Sequence, residues 1–160
     1  MTKRLKSLLD KRKHVWLDVC CGASRPPEYL GMNPTPGDTV DVVHDYHVTP
    51  WPFPKETFTR LVMAKIVERL APDRLIPVMN EAWRVLKPNG LLMVSTPYAG
   101  SWGSHADPLV IHAWNEGTPS CFDPEYPFYE MYKPLPWKIE HNVWHADGNL
   151  EIAFRKRATH

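Results

Sequence analysis

The stretch VWLDVCCGASRPPEYLGMN, residues 15–33, constrains the fold more than any other part of the chain. Residues 15–19 are an apolar run broken only by Asp18 and read as a buried strand. Residues 20–24 are small and form a turn, two prolines bound a connector, and residues 29–32 read as a second short strand. A strand that ends in an acid and then small residues brings backbone amides to the carboxyl edge of an α/β sheet, where a ligand can approach them. The link between the two strands is a further constraint. A parallel crossover usually takes about a dozen residues or more, and residues 20–27 are too few. A third strand, 39–44, follows another short, proline-rich link. Either the strands are not all parallel, or one sheet face has lost part of its helical cover. The second reading is preferred, so the N-terminal helix, the aromatic loops or another subunit must cover that face.

Residues 2–13 read as a short helix with Leu5, Leu8 and Leu9 on one side and six basic residues against Asp10. A solvated face is the simpler reading of those charges. After Asp45, Pro50-Trp51-Pro52-Phe53-Pro54 makes a rigid loop. Residues 58–63 are a fourth strand, and residues 64–70 a turn or short helix. Asp73 is placed to cap an amphipathic helix whose Leu75, Val78, Met79, Ala82, Trp83 and Leu86 share one face. Lys87-Pro88-Asn89-Gly90 stops it, and residues 91–95 are a fifth strand. Residues 98–136 have little periodicity and are rich in Pro, Gly, Trp, Tyr and His; a loop of that length is usually functional. Residues 137–143 and 149–154 alternate about Asp147-Gly148 as a terminal hairpin. The fold class is therefore α/β: a Rossmann-like, mostly parallel sheet with an antiparallel C-terminal hairpin and reduced helical cover on one face.

Composition narrows the function classes. A chain of 160 residues is most simply one domain, able to bury roughly two-thirds of its unfolded surface. Net charge +1 gives no global argument for nucleic acid or membrane. Three cysteines, an odd number, fit reduced thiols in a cytoplasmic protein better than a disulfide framework. No apolar run approaches the ~20 residues of a membrane span, and the N-terminus has no secretory h-region. The 17 prolines lie mostly between the strands and predict stiff, ordered loops.

Taken together, these segments resemble the class I (Rossmann-like) S-adenosylmethionine-dependent methyltransferases, over roughly residues 15–154. Leu17-Asp18-Val19-Cys20-Cys21-Gly22 is similar to the family's first motif, where glycine usually stands at Cys20. Tyr29-Leu30-Gly31-Met32-Asn33 resembles its second strand, which usually ends in an acid that holds the ribose hydroxyls. Asp41-Val42-Val43-His44-Asp45 resembles the third strand. Pro52-Phe53-Pro54 with Phe58, and Val67-Glu68-Arg69-Leu70, match two further segments. Arg84-Val85-Leu86-Lys87-Pro88-Asn89-Gly90 is the most specific match. Asp107-Pro108 and Trp114-Asn115-Glu116 resemble, more loosely, a subgroup common in phages and bacteria, with Leu109-Val110 where that subgroup has Thr-His.

The resemblance implies S-adenosylmethionine as cofactor and methyl transfer to an O or N nucleophile of an unidentified acceptor. It implies a cofactor site at Asp18, Cys20, Gly22, Asn33, Asp45, Tyr46, Met63 and Lys65. Asp18 meets the methionine amino group or, alternatively, braces its turn. Gly22 allows close backbone approach, and Cys20 is tolerable there if its φ is negative. Asn33 accepts from ribose without charge assistance, at roughly tenfold weaker affinity, or is a turn residue before Pro34. Asp45 meets the adenine amino group or caps its strand, and Tyr46 packs on the base. Met63 and Lys65 leave the fourth strand where cofactor and substrate meet. Lys65 binds the cofactor carboxylate or is a surface lysine.

For a general base near neutral pH the candidates are His105, Asp107 and His112. Trp102, Trp114, Tyr126, Phe128, Tyr129 and Tyr132 suggest an aromatic-lined pocket. No metal site is assigned: adjacent Cys20-Cys21 lacks CxxC spacing.

Two rival functions stand beside the first. One is a catalytically inactive, methyltransferase-like cofactor-binding or interaction module, to which Cys20, Asn33, Arg69, Leu109 and Val110 point. The other is a nucleic-acid methyltransferase, ranked lower because the charge is balanced. The thinly covered face predicts a homodimer, or cover by residues 1–13.

Overall fold

The computed structural model describes residues 3–10 and 15–158. Thr2 and residues 11–13 of the expected N-terminal helix lie outside these. In chain order the elements are α1 (Lys3–Asp10), β1 (Trp16–Val19), β2 (Tyr29–Asn33), β3 (Val42–Val43) and β4 (Phe58–Ala64). A 3-10 turn (Val67–Arg69), α2 (Pro72–Val85) and β5 (Leu86–Pro97) follow. Then come α3 (Trp102–Ala106), a second 3-10 segment (Thr118–Phe122), α4 (Tyr129–Tyr132), β6 (Trp137–Trp144) and β7 (Asn149–Lys156).

The strands form one sheet in the order β3-β2-β1-β4-β5-β7-β6. Strands β1 to β5 pair in parallel. Strand β7 runs antiparallel to both β5 and β6. The expected hairpin is present, but its antiparallel strand is not at the edge. Leu150, Ile152 and Phe154 of β7 are almost fully buried, whereas most of β6 is exposed, so the more apolar strand takes the inner position.

Side-chain alternation divides the sheet into unequal faces. Leu17, Val19, Leu30, Met32, Leu61, Met63, Leu92 and Val94 are buried on one face. Val78, Met79, Ala82 and Val85 of α2 join the same core. The alternate residues Trp16, Asp18, Tyr29, Arg60 and Leu91 are only half-buried, and Met93 is 43% exposed. Long cationic side chains take over part of the missing cover. The Arg60 guanidinium lies 4.8 Å over the Trp16 ring, and its stem shields apolar surface while its head stays wet. In α1, Leu5 is buried and Leu8 and Leu9 pack against the core, so this helix does cover apolar surface.

The link from β2 to β3 covers the thin face at one point without a helix. Asp41 donates its amide to Gly31 O (2.9 Å), and its Oδ2 accepts from Gly31 N (2.9 Å). Arg25 donates through Nε to Thr39 O (2.8 Å) and pairs with Asp41 (3.4 Å). This fold-back uses residues 39–41, which is why β3 shrinks from the expected 39–44 to two residues.

Helix α2 starts one residue before the expected cap. Ala71 stands at the N-cap without a side-chain bond, Pro72 takes the first helical position, and Asp73 lies in the first turn. Strand β5 begins directly after the helix at Leu86. Its pairing with β4 then jumps from Phe58–Leu86 to Arg60–Leu91, looping out the Lys-Pro-Asn-Gly turn.

Two segments singled out by the resemblance prove to be one structural unit. Glu81 Oε1 accepts from Trp51 N (2.6 Å) and pairs with Arg84 (2.6 Å). Arg84 Nη2 also donates to Phe53 O (2.8 Å). The pair thus satisfies the backbone of the proline-rich loop, whose Trp51 and Phe53 are buried. Arg84→Met leaves the buried Glu81 carboxylate unpaired. We expect a loss of about 2–4 kcal/mol in urea unfolding; an unchanged midpoint would show that the pair is dispensable.

Candidate cofactor site and the carboxyl edge of the sheet

In an open α/β sheet, ligands bind beyond the carboxyl ends of the strands, where the strand order reverses. Here that point lies between β1 and β4. Asp18, Cys20, Cys21 and Gly22 leave β1, Asn33 ends β2, Asp45 and Tyr46 follow β3, and Lys65 to Arg69 follow β4.

Asp18 is half-buried, and its carboxyl makes no hydrogen bond among the described residues. Burial raises its carboxyl from 3.8 to about 6, with the charge of Arg25 opposing the rise. A carboxylate held in this way gains most from a cationic partner. Gly22 is exposed, and a Cβ built there meets nothing within 4 Å. Gly22 and Asn33 line a cleft of about 350 Å³ shared with the β2–β3 loop.

Cys20 has φ of +60°, so the condition under which cysteine replaces glycine here without strain is not met. The left-handed conformation is strained for a residue with a Cβ, at a cost of about 1–2 kcal/mol, and it explains why glycine suits this position. Burial pushes the Cys20 thiol up, and the neighbouring Cys21, Asp18 and Asp45 add to the rise while Arg69 opposes it. The sulfur is therefore a neutral thiol near pH 7, not a thiolate. All three cysteines are free.

Asn33 is engaged at both ends. Its Nδ2 donates to Cys21 O (2.9 Å) and lies 3.8 Å from Cys20 Sγ, while its Oδ1 accepts from Thr35 N (2.8 Å). A carboxylate could not donate to Cys21 O, so the amide fits the turn that Cys20 and Cys21 make. With both amide hydrogens engaged, one acceptor lone pair of Oδ1 remains for a ligand.

Asp45 is exposed. Its Oδ1 accepts from His47 N (2.9 Å) and lies 2.9 Å from His47 Nδ1, which lowers its carboxyl below the usual range. Its second oxygen makes no bond. Tyr46 is buried and stacks on His47 with ring centroids 4.2 Å apart, so little of its ring faces a cleft. The Met63 side chain is fully buried in the core, near the carboxyl end of β4. Lys65 Nζ reaches Asn149 Oδ1 (3.4 Å) across β5.

The three general-base candidates do not converge. His105 Nδ1 lies 3.0 Å from both Ser101 O and Ser104 Oγ of its own short helix. Asp107 pairs with Arg69 at 2.5 Å and accepts from Leu109 N (2.9 Å). His112 lines a different cavity. The aromatic residues also separate: Trp114 is buried in the core, while Trp102 is 86% exposed. Among the described residues, no group of three or more His, Cys, Asp or Glu could hold a metal ion. Among them too, no helix is long and apolar enough to cross a membrane.

Glu68 is a residue whose position the sequence reading did not foresee. It is buried at the edge, accepting from Thr96 Oγ1 (2.9 Å), and its Oε1 has no hydrogen-bond partner. Its neighbour Arg69 acts electrostatically on Cys20 and Tyr46 as well as pairing with Asp107. Beyond β5, Tyr98 donates to Glu116 (2.8 Å) and stacks on Trp144.

No protein-family model and no curated protein sequence matches the chain. Solved structures do match, at low identity. An S-adenosylmethionine-dependent methyltransferase from Archaeoglobus fulgidus is 15% identical, with 96% of this chain and 91% of that one covered and a TM-score of 0.65. A TehB-like methyltransferase from Corynebacterium glutamicum is 20% identical, covering 96% of this chain and 86% of its own at a TM-score of 0.62. The [4+2]-cyclase SpnF is 17% identical, with 98% and 82% covered at 0.60. Strand order, the lone antiparallel strand and these likenesses agree: the chain has the Rossmann-like fold of the class I S-adenosylmethionine-dependent methyltransferases.

Proposed function

We propose that this protein binds S-adenosylmethionine at the carboxyl ends of β1 to β3 and transfers its methyl group to an O or N nucleophile. The observation that carries the reading is the half-buried, unbonded Asp18 carboxyl near the end of β1, ahead of the turn whose Gly22 opens onto the cleft. The residues present fit the cofactor in part. Asp18 suits its ammonium group, the free oxygen of Asp45 suits the adenine amino group, and Gly22 leaves room for close approach. Asn33 offers ribose one acceptor lone pair. Bound there, the cofactor supplies a methyl carbon already activated by a positive sulfur. The chain's own contribution is then chiefly to hold donor and nucleophile in line, which supplies a large share of such accelerations.

The second reading, a cofactor-binding module without methyl transfer, draws on two observations. Asn33 is spent largely on its own turn, and His105, Asp107 and His112 form no shared base. The same fold carries a cyclase, so fold alone does not decide the chemistry.

Calorimetric titration with S-adenosylmethionine and S-adenosylhomocysteine tests the first reading. We expect micromolar binding to the unaltered chain. In Gly22→Val we expect affinity to fall about 100-fold with thermal stability unchanged, since the new side chain enters open space. No binding at millimolar ligand would overturn the reading.

A further inference from the structure

An apolar cavity of about 200 Å³ lies between the first turns of α2 and the loop region that follows β5. The space opens to solvent between the exposed His112 and Tyr132, so a ligand can enter it. The apolar stripe of α2 runs through Leu75, Val78, Met79, Ala82 and Val85. The last four are fully buried, but Leu75 and its neighbour Ile76 are only half-covered and face this space. Phe122 closes the inner wall. His112 and Tyr132 also line the cavity and are exposed, and neither side chain makes a hydrogen bond among the described residues. No Asp, Glu, Lys or Arg lines the cavity.

We propose that this cavity binds a neutral, single-ring aromatic ligand of phenol to indole size. The ring lies against Leu75, Ile76 and Phe122, and its polar substituent bonds to His112 or Tyr132. Size supports the assignment, since a smaller apolar cavity of about 150 Å³ lined by Leu, Ile and Phe holds benzene. Chemistry supports it too, because an uncharged lining offers no counter-ion to repay the desolvation of an ionic ligand. The four-residue α4 contributes Tyr132 to the lining. The cavity wall is tied to the sheet edge, as the Glu68 carbonyl accepts from both Ile111 N (2.8 Å) and His112 N (3.0 Å). The proposal does not depend on methyl transfer.

The test is a titration of the full chain with phenol and indole, followed by calorimetry and by the methyl resonances of Leu75 and Ile76. Benzoate and cyclohexylammonium serve as charged controls. We expect saturable one-site binding with a Kd of about 1 mM or tighter, and shifts centred on those two methyl-bearing residues. Ile76→Trp fills the cavity from a half-exposed helix position and is expected to weaken binding at least about tenfold; Leu75→Phe is the second filling variant. Absence of saturation at about 10 mM ligand, shifts confined to other residues, or equally tight benzoate binding would each overturn the proposal.

Discussion

Gly31→Ala is expected to destabilise the protein by about 3 kcal/mol, lowering its Tm by roughly 6–12 °C. A Cβ at this position would sit 2.3 Å from Thr39 O, 2.6 Å from Cys21 Sγ and 2.9 Å from Arg25 Cδ. The first of these is backbone and cannot swing away. To make room, residues 39–41 must lift off β2. That breaks both hydrogen bonds between Gly31 and Asp41 and loosens the Arg25 contacts that hold the fold-back. The fold-back covers Gly31 on a sheet face that has no helix at this link, so nothing else is placed to take over. Urea and thermal unfolding measure the effect. A Gly31→Ala protein within about 0.5 kcal/mol of the original would show that the loop is not held as described.

Asp18→Asn is expected to move stability and ligand binding in opposite directions. The carboxyl of Asp18 is raised from 3.8 to about 6 because burial penalises its charged form. The folded state therefore binds this proton more tightly than the unfolded state does. The resulting stabilisation is complete below about pH 4 and is lost as pH rises through about 6. Asparagine carries no such titration. Above pH 6 the variant should be more stable by about 1 kcal/mol, a figure reduced for partial exposure, or roughly 2–4 °C in Tm. At pH 4 the two proteins should match.

Binding should go the other way. If Asp18 holds the cofactor's ammonium group, as proposed, loss of that charge-assisted contact weakens affinity about 10–100-fold. In the unaltered protein, affinity should rise with pH through about 6 as the carboxylate ionises, and this slope should vanish in the variant. Parallel Tm profiles would refute the desolvation account, and unchanged affinity would remove Asp18 from the site. Opposed signs would mark a group that serves binding at some cost in stability.

Of the residues assigned to the cofactor, Gly22 and Asn33 line the cleft, and both carry local signals, a small residue after an apolar run and a turn residue before proline. Asp18 and Asp45 lie near the ends of β1 and β3, outside that lining. The aromatic pocket was not legible. Trp114 and Tyr132 are near one another in sequence, but Trp114 stacks on Phe122 in the core at 5.9 Å while Tyr132 remains 54% exposed. Nor did sequence proximity bring the general-base candidates together. His105 turns back to its own helix, Asp107 is taken by Arg69 across 38 residues, and His112 faces another cavity.

What the sequence determined by itself was the period of each element and the turn chemistry between them. Alternation marks the strands, the 3.6-residue stripe marks α2, and links too short for helices announce the thin face. Only the tertiary structure decided which strand of the hairpin lies inside, that Glu81 and Arg84 hold the proline-rich loop, and that Gly31 is required by the fold while Gly22 is not. It also decided that Cys20 is left-handed and that Asn33 serves as a donor to the turn it faces. Period and turn signals are read over a few adjacent residues. These other features depend on atoms brought within about 3 Å from segments roughly ten to thirty or more residues apart, and no local pattern encodes which pairs will meet.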